Sequence, residues 1–122
     1  MGPEAKLEKK VREAVQAAGG VFLKQTGTPG IPDRLVILPE YEIDCSGQSM
    51  GKSEALTDRL RIRPRFVFVE MKAKNGRLSA IQKLRIEQLE GIGCDVRVVQ
   101  GEEETKAFCE ELMAMGEGRW WK

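Results

Sequence analysis

The segment Phe68-Val69-Glu70-Met71-Lys72 closes an apolar run with a carboxylate and an ammonium two residues apart. Side chains two apart in a strand share a face, so Glu70 and Lys72 point the same way. If the run 33–39 pairs antiparallel with the run 66–72, the start of the first lies beside the end of the second. Asp33 then joins Glu70 and Lys72. Carboxylates brought together raise each other's energy unless a cation neutralises them, and an all-oxygen donor set suits Mg²⁺ or Mn²⁺. A lysine beside such a cation can orient a water or stabilise charge building on phosphorus. The constellation suits hydrolysis of a phosphodiester. The bare spacing carries little by itself, because Glu-x-Lys occurs four times, at Glu4/Lys6, Glu8/Lys10, Glu70/Lys72 and Glu104/Lys106. An ordinary ion pair at a strand end gives the same pattern; the apolar strand and the aspartate alongside set Glu70/Lys72 apart.

Histidine is absent from all 122 residues. That excludes Ser-His and Cys-His nucleophile pairs, HExxH zinc hydrolases and any imidazole base. The cysteines, Cys45, Cys94 and Cys109, are odd in number and widely spaced, which suits reduced thiols better than a disulfide framework or a zinc site. With 41% hydrophobic and 32% charged residues and no apolar run of membrane-spanning length, the composition is that of one globular domain large enough to bury a core. The charged N-terminal stretch MGPEAKLEKK does not read as a signal peptide, and an intracellular location is expected. The net charge of +1 supplies no global basic field, so a polyanionic partner has to be held by local patches.

The elements that position these residues follow from periodicity. Leu7, Val11, Ala14, Val15 and Ala18 recur at helical spacing and stop at Gly19-Gly20, which predicts a helix over 4–18. Residues 21–24 read as a short strand, 26–32 as a turn-rich loop, and 33–39 as a second strand that Pro39 ends. Residues 40–65 are polar and irregular, with a possible short helix from Ser53 to Leu60; a connection of that length in a small domain is usually functional or mobile. Residues 66–72 read as a central strand. A helix follows over 79–91, opened by a capping box of Ser79 and Gln82, then a strand at 94–99 and a helix at 103–116. The order αβββαβ, with an extra C-terminal helix, predicts an α/β fold: a mixed four-stranded sheet flanked by helices, whose last strand-helix-strand step is a right-handed parallel crossover. On the first helix Glu8 lies roughly 20° from Val15 at about 100° per residue. It can therefore lean toward the sheet as a third acid, whereas Glu4 lies on the opposite flank.

Gly30-x-Pro32-Asp33-Arg34-Leu35, Phe68-Val69-Glu70-Met71-Lys72-Ala73 and Gly76-Arg77-Leu78-Ser79-x-x-Gln82, in this order, resemble the VRR-NUC family, a branch of the PD-(D/E)xK nucleases. The resemblance covers about residues 5–100 apart from 40–65, and the αβββαβ order is also that of the PD-(D/E)xK core. It implies a metal-dependent, structure-specific DNA endonuclease using Mg²⁺ or Mn²⁺. Stand-alone phage or bacterial members look like Holliday junction resolvases that act as homodimers. By the same resemblance Asp33 and Glu70 are metal ligands, the Met71 backbone carbonyl is a third, Lys72 is the catalytic lysine, and Glu8 is the first-helix acid. Gln82 matches a helix glutamine near the site, although closing the capping box is also a sufficient role for it.

The segment 40–65 departs from the compact family pattern. Within it Arg59, Arg61, Arg63 and Arg65 alternate, so that an extended chain presents all four on one side as a phosphate-contacting ridge; a solvated strand edge gives the same pattern. Lys24, Arg34, Lys74, Arg77 and Lys83 lie near the proposed site in sequence and are further candidates for phosphate contact. Trp120 and Trp121 suit base stacking, a subunit contact or plain packing. A flap or nick-processing nuclease, and a nuclease-like DNA-binding module without catalysis, are the alternatives to a junction resolvase.

Overall fold

The first helix, α1 (Pro3–Ala17), opens on a proline, whose fixed φ suits the first helical turn and whose missing N–H is not needed there. It buries Leu7, Val11, Ala14 and Val15 along one stripe. The chain then turns so tightly that a Cβ on Gly20 would stand 2.6 Å from the Ile37 carbonyl oxygen. Only glycine lets the end of α1 approach the sheet this closely. Four strands follow, β1 (Val21–Lys24), β2 (Arg34–Ile43), β3 (Leu60–Lys72) and, after helix α2 (Ala80–Gly91), β4 (Asp95–Gln100); helix α3 (Gly101–Gly116) ends the described chain. The computed structural model describes residues 2–43 and 60–116. Cys45, Arg59, Trp120, Trp121 and nearly all of the expected 53–60 helix lie outside the described residues.

The sheet order is β1-β2-β3-β4. The first three strands run antiparallel and β4 pairs parallel to β3, so the structure has the mixed four-stranded sheet expected from the sequence. Val36 and Leu38 of β2, Val67, Val69 and Met71 of β3, and Val99 of β4 form one core with α1 and with Phe108 and Leu112 of α3. Each such side chain contributes about 1.5–3 kcal/mol when fully buried. The alternate residues, Leu35, Ile37, Phe66 and Phe68, face the other way and are half-buried or exposed. Helix α2 adds no buried residue and leans on β4. No helix among the described residues is long and apolar enough to cross a membrane.

Two boundaries differ from the sequence reading by more than two residues. Strand β2 does not end at Pro39 but runs to Ile43, and β3 begins at Leu60 instead of 66. The segment expected to be irregular over 40–65 is, at both ends, a two-stranded extension of the sheet in which Pro39 and Pro64 stand directly opposite each other. The Gln25 N–H donates to the Asp33 carbonyl, so odd-numbered backbone groups of β2 point toward β1 and away from β3. At Pro39 β1 has already ended, its last partner on β2 being Ile37. A missing N–H therefore breaks no ladder bond at either proline.

Candidate active site

The register of the β2–β3 pair sets the site. Arg34 pairs with Val69, so Asp33, one residue before β2, falls across from Glu70. The Met71 N–H donates to Asp33 Oδ1 at 3.4 Å. Alternation puts Asp33, Glu70 and Lys72 on the face away from the α1/α3 core, because their neighbours Arg34, Val69 and Met71 are buried in that core or at its rim. Lys72 Nζ lies 3.9 Å from Glu70 Oε2.

Glu70 is only 3% exposed. Burial pushes its carboxyl up, the Asp33 charge pushes it further, and Lys72 and a hydrogen bond from the Asp33 backbone offset part of this, leaving it at about 7. Two carboxylates and one ammonium thus leave the site short of positive charge. Among the described residues no three His, Cys, Asp or Glu side chains converge as a metal cage. The oxygen donors that meet there are the Asp33 and Glu70 carboxylates. Oxygen donors alone, with excess negative charge, fit a hard divalent cation.

The approach to Asp33 is built by the loop 26–32. Gly30 has φ +80°, and a Cβ there would stand 2.6 Å from the Ile81 carbonyl oxygen; glycine thus lets the loop pack on the first turn of α2. Arg85 Nε donates to the Pro29 carbonyl at 3.1 Å and ties the same two elements together. The expected capping box is present. Ser79 Oγ accepts from the Gln82 N–H at 3.2 Å, and Gln82 Oε1 accepts from the Ser79 N–H at 2.8 Å. The carbonyl end of Gln82 is thereby committed to the start of α2.

Arg34 does not serve as an exposed phosphate contact. It is 6% exposed on the core side of the sheet, with Nε donating to Glu8 Oε1 at 2.7 Å and Nη1 donating to the Asp33 carbonyl at 2.9 Å. Its Nη1 also lies 3.3 Å from Asp33 Oδ2. Glu8 therefore leans toward the sheet as expected, but reaches Asp33 only through Arg34, which holds the Glu8 carboxyl below the usual range. Glu4 is exposed.

The alternation expected of the arginines holds at the described positions, on the face away from the site. Arg61, Arg63 and Arg65 occupy the same strand face as Val67 and Val69, opposite to Asp33, Glu70 and Lys72. Arg61 and Arg63 stand in register with Glu42 and Glu40. Arg65 Nη2 donates to Asp95 at 3.0 Å, and its Nη1 lies 3.5 Å from Glu40. Asp95 is shared with Arg97, which also donates to Glu111 of α3 at 2.7 Å. This network ties β3, β4 and α3 together. Lys24, Lys74, Arg77 and Lys83 are exposed, and Lys74 and Arg77 follow Lys72 directly in a loop.

That loop has an anchor that the sequence reading missed. Gln100, the sheet partner of Lys72, donates through Nε2 to the carbonyls of Ala73 at 3.3 Å and Lys74 at 3.1 Å, and also to that of Gly76. Its only signal in sequence is a polar residue ending an apolar strand, and its partners appear only once the sheet is paired.

A family model described as the VRR-NUC domain matches residues 5–103. A solved structure described as a VRR_NUC domain superposes with a TM-score of 0.62 at 25% identity, covering 90% of this chain and 97% of that one. No curated protein matches. The segments that bear Asp33, Glu70 and Lys72 all lie inside the matched region, and the chain belongs to the VRR-NUC domain family of nuclease-like domains.

Proposed function

We propose that the protein is a Mg²⁺- or Mn²⁺-dependent endodeoxyribonuclease that hydrolyses phosphodiester bonds in branched DNA, with the four-way junction as its substrate. The observation that carries the reading is the convergence of Asp33 and Glu70 at one sheet end with Lys72 Nζ 3.9 Å from Glu70. A divalent cation held by these carboxylates and the Met71 carbonyl supplies Lewis-acid activation of water and neutralises charge at phosphorus.

The chain's own residues do the rest. Asp33 directly precedes β2 and Glu70 lies on the adjacent β3, so the spacing of their backbones is set by the ladder before substrate arrives. Lys72, one pleat further along β3, places its ammonium where it can orient the attacking water and offset charge developing on the phosphate. Arg34 holds Asp33 from behind and keeps its own charge balanced by Glu8. The exposed Lys74 and Arg77 lie on the loop that Gln100 fixes beside the site, in position to take phosphates flanking the scissile one. A four-way junction cut symmetrically requires two such sites related by a twofold axis, and the reading therefore includes a homodimer.

The test is a panel of four-way junctions, flaps and plain duplex incubated with Mg²⁺ or Mn²⁺, comparing the wild type with Asp33→Ala and Lys72→Ala. Cation-dependent nicking of the junction by the wild type alone is the expected result. Nicking that survives both substitutions would place the chemistry elsewhere, and strict monomers in light scattering during junction cleavage would remove the dimer.

A further inference from the structure

Gln25 follows β1 directly, and its backbone N–H donates to the Asp33 carbonyl at 2.8 Å. This bond continues the β1–β2 ladder one step beyond the Lys24–Arg34 pair. Gln25 and Asp33 are thus cross-strand neighbours, and opposed side chains in such a pair lie on one face with Cβ atoms about 4.5–5.5 Å apart. Gln25, Asp33 and Glu70 therefore form a row across three adjacent strands, on the face that carries Lys72.

Two observations meet at this row. Gln25 Nε2 is a buried side-chain nitrogen with no hydrogen-bond partner among the described residues. A buried amide nitrogen left without an acceptor costs stability. Next to it, Asp33 is held loosely: Oδ1 lies 3.4 Å from the Met71 nitrogen and Oδ2 lies 3.3 Å from Arg34 Nη1. Both distances are long for bonds to an ionised carboxylate, which has about four acceptor positions to fill. An unused donor and an under-used acceptor are neighbours at the edge of the proposed cation site.

We propose that Gln25 is a positioning residue for Asp33: when Asp33 and Glu70 hold a divalent cation, the Gln25 carboxamide N–H donates to the Asp33 carboxylate and fixes its orientation. Carboxylate ligands are held by such outer hydrogen bonds, whose removal weakens cation binding without removing a ligand. The inference rests on the cation-site reading above and goes beyond it by assigning a residue outside the three family motifs.

The test measures Mn²⁺ binding by titration calorimetry on the full chain, without DNA, for the wild type, Gln25→Met and Asp33→Asn, together with the melting temperature of each protein free of cation. Methionine keeps the length of the side chain and removes the donor. Gln25→Met is expected to weaken Mn²⁺ binding about ten-fold while its cation-free melting temperature stays equal or rises, since the orphaned nitrogen is gone; a purely structural role would lower it. Affinity unchanged in Gln25→Met, with binding lost in Asp33→Asn, overturns the role of Gln25 alone. A melting temperature that falls in Gln25→Met, with affinity kept, does the same. A wild type that binds no Mn²⁺, or an Asp33→Asn that binds as well as the wild type, overturns this inference and the cation site together. Should Gln25→Met not fold, Gln25→Leu is measured in the same way.

Discussion

Arg34 and Glu8 form an ion pair at 2.7 Å that joins the first helix to the start of β2, next to Asp33. The guanidinium is almost fully buried, and the carboxylate side chain is 22% exposed. Removing one partner of such a pair strands the other charge in a poor solvent. Arg34→Met is therefore expected to destabilise the fold by about 3 kcal/mol in urea denaturation, with a further loss of cation affinity because Asp33 loses its rear support. A phosphate-contacting arginine would instead lower DNA affinity and leave the denaturation midpoint in place.

Lys72→Ala removes the only ammonium that lies within ion-pair distance of Glu70 among the described residues. Junction nicking is expected to fall about 10²–10³-fold in single-turnover assays, while circular dichroism and junction affinity stay near those of the wild type. Loss of binding equal to the loss of nicking would show a binding role instead.

Glu70 gives the cation-free protein an uncommon pH dependence. Its carboxyl is raised from about 4.5 to about 7 in the folded state, so between these values the folded chain holds more protons than the unfolded one. Stability falls as pH rises through this window and is level above it, by on the order of 3 kcal/mol or less. A cation takes the place of the proton, so Mg²⁺ should raise the melting temperature more at pH 8 than at pH 6. Glu70→Gln should flatten both trends. Melting curves across pH, with and without Mg²⁺, decide this, and a Mg²⁺ effect independent of pH would count against Glu70 as a ligand.

The two groups of basic residues should separate in a salt titration. Arg61→Ala and Arg63→Ala lie on the face away from the site and should leave the salt slope of junction binding unchanged. Lys74→Ala and Arg77→Ala should each lower that slope by about one. The opposite result would mean that DNA approaches the α1/α3 side of the hairpin.

Gln100→Leu keeps the bulk at the end of β4 but removes the bonds to the Ala73, Lys74 and Gly76 carbonyls. Faster hydrogen exchange confined to residues 73–77, together with weaker junction binding, is expected. Exchange that rises throughout β3 would indicate a wider role in the sheet.

How much of this was legible in the sequence depended on whether the determinant was local or needed a pairing. The Ser79–Gln82 box is a four-residue signal and needed nothing else. The meeting of Asp33 with Glu70 required one assumption, antiparallel neighbours, after which period-two alternation did the rest. Arg34 was misread because proximity in sequence to Asp33 says nothing of the opposite face it occupies. Alternation also puts Arg61, Arg63 and Arg65 on one side correctly, but that this side is opposite to Glu70 follows only once β3 runs unbroken from Leu60 to Lys72. Pro39 reads as a stop, since its effect on a ladder depends on whether a neighbouring strand is present to be denied a bond. Gln25 and Gln100 carry no motif, and their partners are visible only across strands.

The opposed prolines have one more consequence. Beyond the four-stranded region the hairpin is a ribbon of two strands, and no other described strand pairs with either of its margins. Pro39 and Pro64 each remove an amide from the outward row, one on either margin, and the register sets Glu42 and Glu40 against Arg61 and Arg63 along the rest. An incoming strand would find a missing donor on either margin. The ribbon is therefore protected against recruiting another chain as an added strand, which lets it extend from the domain without seeding aggregation.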